Sequence, residues 1–435
     1  MQTADLILTG ARQLVTVPPA PGGGLKRGAE LTHLGLIEDG ALAALGGRIL
    51  ATGTTPEITA AFELAPEGVA LDARECVVLP AFIDPHTHVL FRGTREWEFE
   101  KRLQGETYMQ IAAAGGGIRS SVRMFRQATE EEILAESLVR LDQMAAYGTG
   151  TVEVKTGYAL DPEQELRALR LIAELQRRHP LEIVATYLGA HEVPDEYRDR
   201  RAQYVDLLVE EMIPAAGRLG IARFCDVFCE AGVFSIAESR RILAAGAAAG
   251  LRPKLHADEI EPMGGAELAV AVDAVSADHL GRVSSAGIAA LAASDVAAVL
   301  LPGTLFSLRA GYYAPAREMI AAGVGIALAT DCNPGSSMTV SMPWIIALAC
   351  LEMGLQPAEA LVAATYNAAA AVGQARERGS LTPGYRADLQ VLGAPSYARL
   401  PYHVGASDLR HLVLGGRCWI RDARPQPLRT GDATV

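Results

Sequence analysis

Residues 83–95 read IDPHTHVLFRGTR, and they continue the apolar run CVVLPAF of residues 76–82. An apolar run bounded in this way predicts a buried strand. This one ends in two histidines one residue apart, His86 and His88, and an arginine, Arg95, follows soon after. Side chains at positions i and i+2 of a strand point to the same side. We therefore expect the two imidazoles to face one common space at the end of the strand.

Similar apolar runs recur along the chain and alternate with helix-like segments. Residues 130–148, EEEILAESLVRLDQMAAYG, are one helix candidate, because their apolar residues recur at intervals of three and four. Continuous apolar strands that alternate with amphipathic helices predict a parallel sheet, and eight such units predict an α/β fold, the closed (β/α)8 TIM-type barrel. The eight strand candidates are VVLPAFID (77–84), TVEVKTG (151–157), EIVATYLGAH (182–191), ARFCDVFCE (222–230), RPKLHADE (252–259), AVSADHL (274–280), AAVLLPG (297–303) and GIALATD (325–331).

Both ends of the chain are rich in short strand candidates. ALAALGGRILATG (41–53) consists of two apolar runs around Gly46-Gly47, and HLVLGGRCWIRDA (411–423) repeats this pattern around Gly415-Gly416. Such patterns predict β-hairpins. Because the termini of a compact body often lie close together, we expect residues 1–76 and 376–435 to form one small β-sandwich-like domain beside a barrel of residues 77–375.

Composition argues against several classes of partner. The 435 residues are 50% hydrophobic, with a formal net charge of −12 and a pI near 5.3, which argues against nucleic acid or an anionic membrane as partner. No apolar run is long enough to span a membrane, and the start MQTADLILTGARQLV lacks the pattern of a secretory signal. Six cysteines without paired spacing suit a reducing compartment. We therefore expect a cytoplasmic protein with a small-molecule substrate.

Polar residues collect at the carboxyl ends of the predicted barrel strands, where barrel enzymes carry their chemistry. Three imidazoles and one carboxylate at these ends would form a donor set suited to Zn²⁺ or Fe²⁺. Such an ion would lower the pKa of a bound water from ~16 toward ~7, and Asp331 could both contact the ion and take the water's proton. The polar strand ends are His86 with His88, His191, His256 with Glu259, Asp278 with His279, and Asp331.

Each of these residues alone also has a purely structural interpretation. A lone His-x-His pair, or a lone His256 or Asp331, is weak evidence, because such groups also occur as hydrogen-bonded core residues. Their joint placement at the ends of separately predicted strands favours the metal site. Arg95, taken alone, fits an exposed salt bridge with Glu96 or Glu98 equally well.

The chain resembles the amidohydrolase superfamily, with DPHTH after the first strand, a histidine at the ends of strands five and six, and ATD at the end of strand eight. Within that superfamily, the resemblance to the imidazolonepropionases covers nearly the whole chain. The matching stretches, in chain order, are FIDPHTHVLFRGTRE, RLQGETYMQIAAAGGGI, EVKTGYAL, YLGAHEVP, DVFCEAGVF, LHADEIEPMGGAELA, ADHL and ATDCNPGSS.

This resemblance implies the hydrolysis of 4-imidazolone-5-propanoate to N-formimidoyl-L-glutamate in L-histidine degradation, and it implies a homodimer. It assigns one divalent metal, Zn²⁺ or Fe²⁺, to His86, His88, His256 and Asp331. It also implies catalytic roles for Asp331, His279 and Glu259. The substrate-binding residues that it implies are Arg95, Tyr108, Tyr158, His191, Glu259, Asn333, Gly335 and Ser336.

The number of metals and one glycine-rich loop leave alternatives open. Many members of the superfamily carry a carboxylated lysine at the end of strand four, whereas this strand ends VFCEAG (227–232). We expect one metal, with Lys155 at the end of strand two as a salt-bridged or loop-ordering lysine. A second metal bound through Glu230 stays open. Residues 112–118, AAAGGGI, fit a mobile flap over the pocket or an ordinary tight turn, because glycine permits unusual backbone angles.

Two rival functions would use the same framework. A metal-dependent deaminase of a related nitrogen heterocycle would share the metal site, but Arg95, Tyr158 and His191 together suit a substrate with a carboxylate better than an uncharged base. A non-catalytic barrel that serves as a scaffold is the second rival. Such a protein would be expected to have lost ligands that this chain retains.

Overall fold

A computed structural model of the chain describes residues 1–106, 110 and 114–426. Eight parallel strands run side by side in chain order, each one hydrogen-bonded to the next. All eight are almost entirely buried, as expected for a parallel sheet that is covered on both faces. The strands are Phe82–Asp84, Thr149–Lys155, Glu182–Ala190, Phe224–Cys229, Arg252–Ala257, Ser276–His279, Ala297–Leu300 and Ile326–Leu328.

The sheet closes through the residues that directly follow its first and last strands. The backbone N–H of Asp331 donates to the carbonyl of His86 at 3.0 Å, and the N–H of His88 donates to the carbonyl of Cys332 at 3.0 Å. One buried carboxylate strengthens this seam, because Asp84 accepts hydrogen bonds from the backbone N–H of Thr330 at 3.0 Å and from its hydroxyl at 2.6 Å. The prediction of a TIM-type barrel is confirmed.

The predicted first strand, residues 77–84, is two strands in two different sheets. Val77–Pro80 pairs with Leu389–Leu392 and Gln13–Val15, outside the barrel. The chain changes sheets at Ala81, and Phe82–Asp84 then begins the barrel. Both halves are fully buried, so hydrophobicity alone could not reveal the change.

Strands from both chain ends build two further sheets, which share a buried core that includes Leu6, Leu42, Val78, Leu389 and Val413. This confirms the β-sandwich-like part of the fold prediction, while the boundaries at residues 76/77 and 375/376 stay predictions. The first sheet has the order Arg48–Thr54, Gly40–Leu45, Gln2–Ala11, Phe62–Asp72. The second has the order Arg424–Pro425, Arg417–Arg421, Leu409–Leu414, Leu389–Leu392, Val77–Pro80, Gln13–Val15, Leu36–Ile37.

The two predicted hairpins turn at Gly46-Gly47 and Gly415-Gly416, and they meet in space. A Cβ atom at Gly47 would lie 2.9 Å from the carbonyl oxygen of Gly415. Such a contact is too close for any larger side chain. The glycine at position 47 is therefore required by the approach of the two chain ends.

Helices cover the outside of the barrel, and several begin at a capping residue. Thr129 and Glu132 form a reciprocal cap at the start of the predicted helix Glu130–Ala146. The α-helices are Thr55–Ala61, Glu96–Leu103, Ile118–Gln127, Glu130–Ala146, Pro162–Arg178, Arg201–Leu207, Ile213–Leu219, Ile236–Ala248, Gly265–Ala271, Ser285–Ala292, Pro302–Ser307, Ala316–Ala322, Met342–Met353, Pro357–Ala363, Tyr366–Ala371 and Arg399–Tyr402. A π-helical turn, Leu208–Met212, and the short 3-10 helices Pro21–Gly23, Gly28–Thr32 and Asp195–Tyr197 complete the set that the structure describes.

Across the described ranges, we find no helix with the length and apolar character needed to cross a lipid bilayer.

The hydrogen bond between Thr330 and Asp84 gives a test of the seam. Thr330→Val should lower the free energy of unfolding by about 1–3 kcal/mol, because it removes a donor from a buried carboxyl. The measurement is the urea midpoint of metal-free protein. Thr3→Val, at an exposed position, serves as the control and should change stability by less than about 0.5 kcal/mol. Equal midpoints for the two variants would show that the seam does not depend on this bond.

Candidate active site

The carboxyl ends of the barrel strands surround a cavity of about 1150 Å³. Most of the predicted site residues lie on its wall, His86 lies buried beside it, and Tyr108 falls outside the described residues. The predicted residues on the wall are His88, Arg95, Tyr158, His191, His256, Glu259, His279, Asp331, Asn333, Gly335 and Ser336.

Three imidazoles and one carboxylate meet at the seam of the barrel. The ring centre of His86 lies 5.3 Å from that of His88 and 4.5 Å from that of His256. Asp331 Oδ1 is 3.5 Å from the Nε2 atoms of both His86 and His88. The predicted donor set is therefore brought together by the fold.

The nitrogens of this set meet the main requirement of a metal site. The Nδ1 atoms of His86 and His256 lie 2.6 Å from Asp278 and 3.1 Å from Asp226, so each is the protonated nitrogen that donates to a carboxylate. Their Nε2 atoms are buried and have no hydrogen-bond partner. Unpartnered lone pairs at this depth cost free energy unless they bind an ion or a donor. The arrangement suits a divalent metal.

Electrostatics keep His86 and His88 neutral. Burial lowers the pKa of His86 and of His88 well below the ordinary value, and the neighbouring imidazoles and Lys155 lower it further. A neutral imidazole has the lone pair that a metal requires. His86 and His88 therefore present lone pairs that are suited to a metal ion.

A buried cluster of charges lies behind the imidazoles. Lys155 contacts Asp226 at 2.7 Å and Glu153 at 2.9 Å, and Lys254 contacts Glu153 at 3.0 Å. Asp278 lies within 3.6 Å of Lys155 and 3.9 Å of Lys254. The salt bridge expected for Lys155 is confirmed. Sequence patterns did not reveal the rest of the cluster, because its members come from four different strands.

Asp331 is held in a strained and partly desolvated state. Its Oδ2 accepts a hydrogen bond from the hydroxyl of Thr304 at 2.6 Å, a partner that sequence analysis missed. Burial raises the pKa of Asp331 to about 6. Its backbone φ is +52°, and His279 has φ +79°, a region that side chains other than glycine rarely occupy. Such strain is typical of functional sites.

Glu259 and His279 are neighbours on the cavity wall. The closest approach, from His279 Nδ1 to Glu259 Oε2, is 3.5 Å. Burial, with Asp331 and Glu230 nearby, raises the pKa of Glu259 to about 8. Glu230 itself binds backbone, because its two carboxylate oxygens accept the N–H groups of Ile260 at 2.9 Å and Glu261 at 3.2 Å. It thereby anchors the loop that carries Glu259.

His191 and Tyr158 form the wall next to His88. The His191 ring stacks on His88 with ring centres 4.9 Å apart, and its Nδ1 lies 3.0 Å from the carbonyl oxygen of Gly157. Burial lowers the pKa of His191 to about 3, so this ring is neutral and its Nε2 carries a lone pair. Burial also raises the pKa of Tyr158, so its hydroxyl remains protonated.

Arg95 is buried and already paired. Its Nε and Nη2 atoms donate to the two carboxylate oxygens of Glu98 at 2.8 and 2.7 Å. The salt bridge that sequence analysis considered with Glu98 therefore exists, but it is buried and not exposed. The guanidinium lies against Gly335, where a Cβ atom would be 2.5 Å from Nη1. A larger residue at position 335 would therefore displace the guanidinium of Arg95.

The loop after the last barrel strand is built around one amide side chain. Asn333 Oδ1 accepts the N–H groups of Gly335 and Ser336 at 2.8 Å each, and its Nδ2 donates to the carbonyl of Asp331 at 2.7 Å. These hydrogen bonds join the strand end at Asp331 to Gly335, which contacts Arg95, in one rigid loop.

Gly115 and Gly117, in the described part of the glycine-rich segment, have φ of +91° and +79°. The Gly117 N–H donates to Glu98 Oε1 at 3.0 Å. The unusual backbone angles are confirmed at these two positions, whereas a mobile flap stays a prediction.

Comparison with known proteins identifies the family. Residues 77–416 match the sequence model of the Amidohydrolase family. The chain is 50% identical over 425 residues to an imidazolonepropionase of Symbiobacterium thermophilum, covering 98% of this chain and 99% of that one. It is 47% identical over 420 residues to an imidazolonepropionase of Geobacillus kaustophilus, covering 96% and 99%.

Solved structures share the fold at low sequence identity. A triazine hydrolase variant superposes with a TM-score of 0.72 at 15% identity, covering 98% of this chain and 97% of that one. An adenosine deaminase from Xanthomonas campestris with bound zinc gives a TM-score of 0.68 at 18% identity, covering 99% and 96%. With relatives of this similarity over nearly its whole length, the chain belongs to the imidazolonepropionases of the amidohydrolase family.

Proposed function

We propose that this chain hydrolyses 4-imidazolone-5-propanoate to N-formimidoyl-L-glutamate, a step of L-histidine degradation. It is a hydrolase that acts on the C–N bond of a cyclic amide. The observation that carries the proposal is the convergence of unpartnered imidazole nitrogens and Asp331 on a cavity with arginine on its wall. Imidazolonepropionases at 47% and 50% identity support it.

The proposed cofactor is one divalent ion, Zn²⁺ or Fe²⁺, held by His86, His88, His256 and Asp331. Imidazole nitrogen with a carboxylate oxygen suits either ion. Glu230 supports a single ion, because both of its oxygens accept backbone N–H groups. When bound, the ion supplies Lewis acidity and a water molecule of lowered pKa.

The reaction requires one proton to move from the attacking water to the leaving ring nitrogen. The water oxygen bonds to the ring carbonyl carbon, the ring C–N bond breaks, and one proton of that water passes to the leaving nitrogen. The other proton is released when the new carboxyl group ionises. Asp331 is placed to carry the proton that passes to the nitrogen, since its pKa is raised toward neutrality and Thr304 fixes the orientation of its carboxylate. His279 is the proposed partner of the developing oxyanion, and Glu259 fixes the position of its ring.

Substrate binding is assigned to the rest of the wall. His191 presents its Nε2 lone pair to a ring N–H, and Glu259 holds the other side of the ring. Tyr158 and Arg95 are proposed to face the propionate. The remaining proposed contacts are Tyr108, Asn333, Gly335 and Ser336.

Neither rival function is favoured. The deaminases among the similar structures share the fold at less than 20% identity, whereas the full-length relatives are imidazolonepropionases. The complete set of ligand residues argues against a scaffold without activity. We further propose a cytoplasmic location, supported by six free cysteines, and the homodimer stays a prediction.

Conversion of the expected substrate tests the proposal directly. Metal-loaded protein should remove freshly made 4-imidazolone-5-propanoate, followed by ultraviolet absorbance, and produce N-formimidoyl-L-glutamate. Treatment with a chelator should abolish the reaction and readdition of metal should restore it. Failure of fully loaded protein to convert the substrate would reject the function and direct attention to deaminase substrates.

Asp331→Asn should lower kcat at least ~100-fold in protein that retains metal, because an amide cannot carry the proton. Metal content is measured alongside turnover. Asp295→Asn removes an exposed carboxylate in the same way and should leave kcat unchanged. Normal kcat in metal-loaded Asp331→Asn protein would exclude the proton-carrying role.

Metal affinity should weaken as the pH falls below about 6. A proton on Asp331 must leave before an ion binds, so acid opposes loading, by up to ~10-fold per pH unit for one proton. His86 and His88 should add little, because their pKa values are already well lowered. Zn²⁺ competition titrations between pH 5 and 8, corrected for protonation of the chelator, measure the slope. A slope of three protons would mean that His86 and His88 also lose a proton each when the ion binds.

A further inference from the structure

Arg102 is a further arginine on the cavity wall, and no role follows for it from the proposed mechanism. Arg102 belongs to the helix Glu96–Leu103, which starts next to Arg95. Its Nη1 donates to the carbonyl oxygen of Gly335 at 3.0 Å. Its Nε is buried without a hydrogen-bond partner.

Arg102 is the cation that its neighbours do not neutralise. Arg95 and Glu98 form a bidentate pair in which both side chains are nearly inaccessible, 8% and 3% exposed. The neighbouring Lys101 is bound to Glu106 at 2.8 Å. Within the ranges that the structure describes, no carboxylate forms an ion pair with Arg102. One positive charge therefore remains in excess beside Gly335.

The surroundings of Arg102 agree with the incomplete compensation of its positive charge. Its pKa is lowered chiefly by burial; Glu98 opposes that effect, while Arg95 adds to it. A half-buried guanidinium with a free N–H donor is costly. A carboxylate ligand would supply both the missing charge and the missing acceptor.

Arg102 is also placed to meet a carboxylate on a small ligand whose other end lies at Asp331. The loop that contacts it begins at Asp331 and is held rigid by Asn333. Gly335 lies four residues beyond Asp331, and both Arg95 and Arg102 contact it. A molecule with one end at Asp331 would direct its other end to this pair.

We propose that Arg102 supplies the uncompensated charge that selects substrates with a carboxylate, next to Arg95, whose own charge is balanced by Glu98. This inference rests on the proposed function and assigns a specificity determinant to the same cavity. A local excess charge is needed because the protein as a whole carries −12. Replacement of Arg102 should therefore reduce recognition of the carboxylate and leave recognition of the ring unchanged.

Binding of a stable pair of ligands separates charge recognition from structural support. The probes are 3-(imidazol-4-yl)propanoate and its primary amide, titrated calorimetrically into metal-loaded protein. The natural chain should bind the acid ~10–100-fold more tightly than the amide. Arg102→Met should lose most of this preference, and Arg102→Lys should keep part of it.

Arg119→Met is the matched control. Arg119 also lies on the cavity wall, but it is paired with Asp195 at 3.2 Å, so the acid preference should persist in this variant. Equal weakening of acid and amide in the Arg102 variants would indicate a structural role and overturn the inference. Absence of any preference in the natural chain would overturn it as well. Should Arg102→Met fail to fold, the loss of preference in Arg102→Lys decides.

Turnover tests the proposed function separately. If the natural chain does not open 4-imidazolone-5-propanoate but binds the acid over the amide through Arg102, the proposed reaction fails and the inference stands. If the natural chain opens 4-imidazolone-5-propanoate and Arg102→Met does so with an unchanged KM, the inference fails and the proposed function stands.

Discussion

The hydrogen bond from His86 Nδ1 to Asp278 is the constraint on which the rest of the site depends. It joins the first and sixth barrel units and turns the Nε2 lone pair toward the common space. The same arrangement recurs between His256 and Asp226. Both carboxylates are in turn held by Lys155. A donor nitrogen is thus oriented by a carboxylate, and the carboxylate is oriented by an ammonium group.

The charges behind the imidazoles sum to a value that suits a cation above them. With all five groups ionised, Glu153, Asp226 and Asp278 carry three negative charges and Lys155 and Lys254 carry two positive charges, which leaves −1. Buried charges of this kind are costly unless they are fully paired. The residual negative charge would partly offset the positive charge of a divalent ion, which an apolar barrel interior would not do.

The barrel and the ends of its strands could be predicted because both follow from short-range patterns. Apolar runs mark strands, and His86, His88, His256 and Asp331 interrupt those runs at their carboxyl ends. The change of sheet at Ala81 could not be predicted, since burial is complete on both sides of it. The partners Thr304 and Lys254 were also missed, as was the burial of the pair between Arg95 and Glu98. Their roles depend on distances between segments, and a single sequence contains no information on those distances.

The closing seam has a consequence for the order in which the protein acquires its site. Asp84 and Thr330 are separated by 246 positions in the chain, so closure must wait until nearly the whole barrel has been synthesised. A nascent chain that has not yet emerged past the eighth strand holds the histidine pair without Asp331. It therefore lacks one member of the proposed ligand set until the barrel sequence is complete.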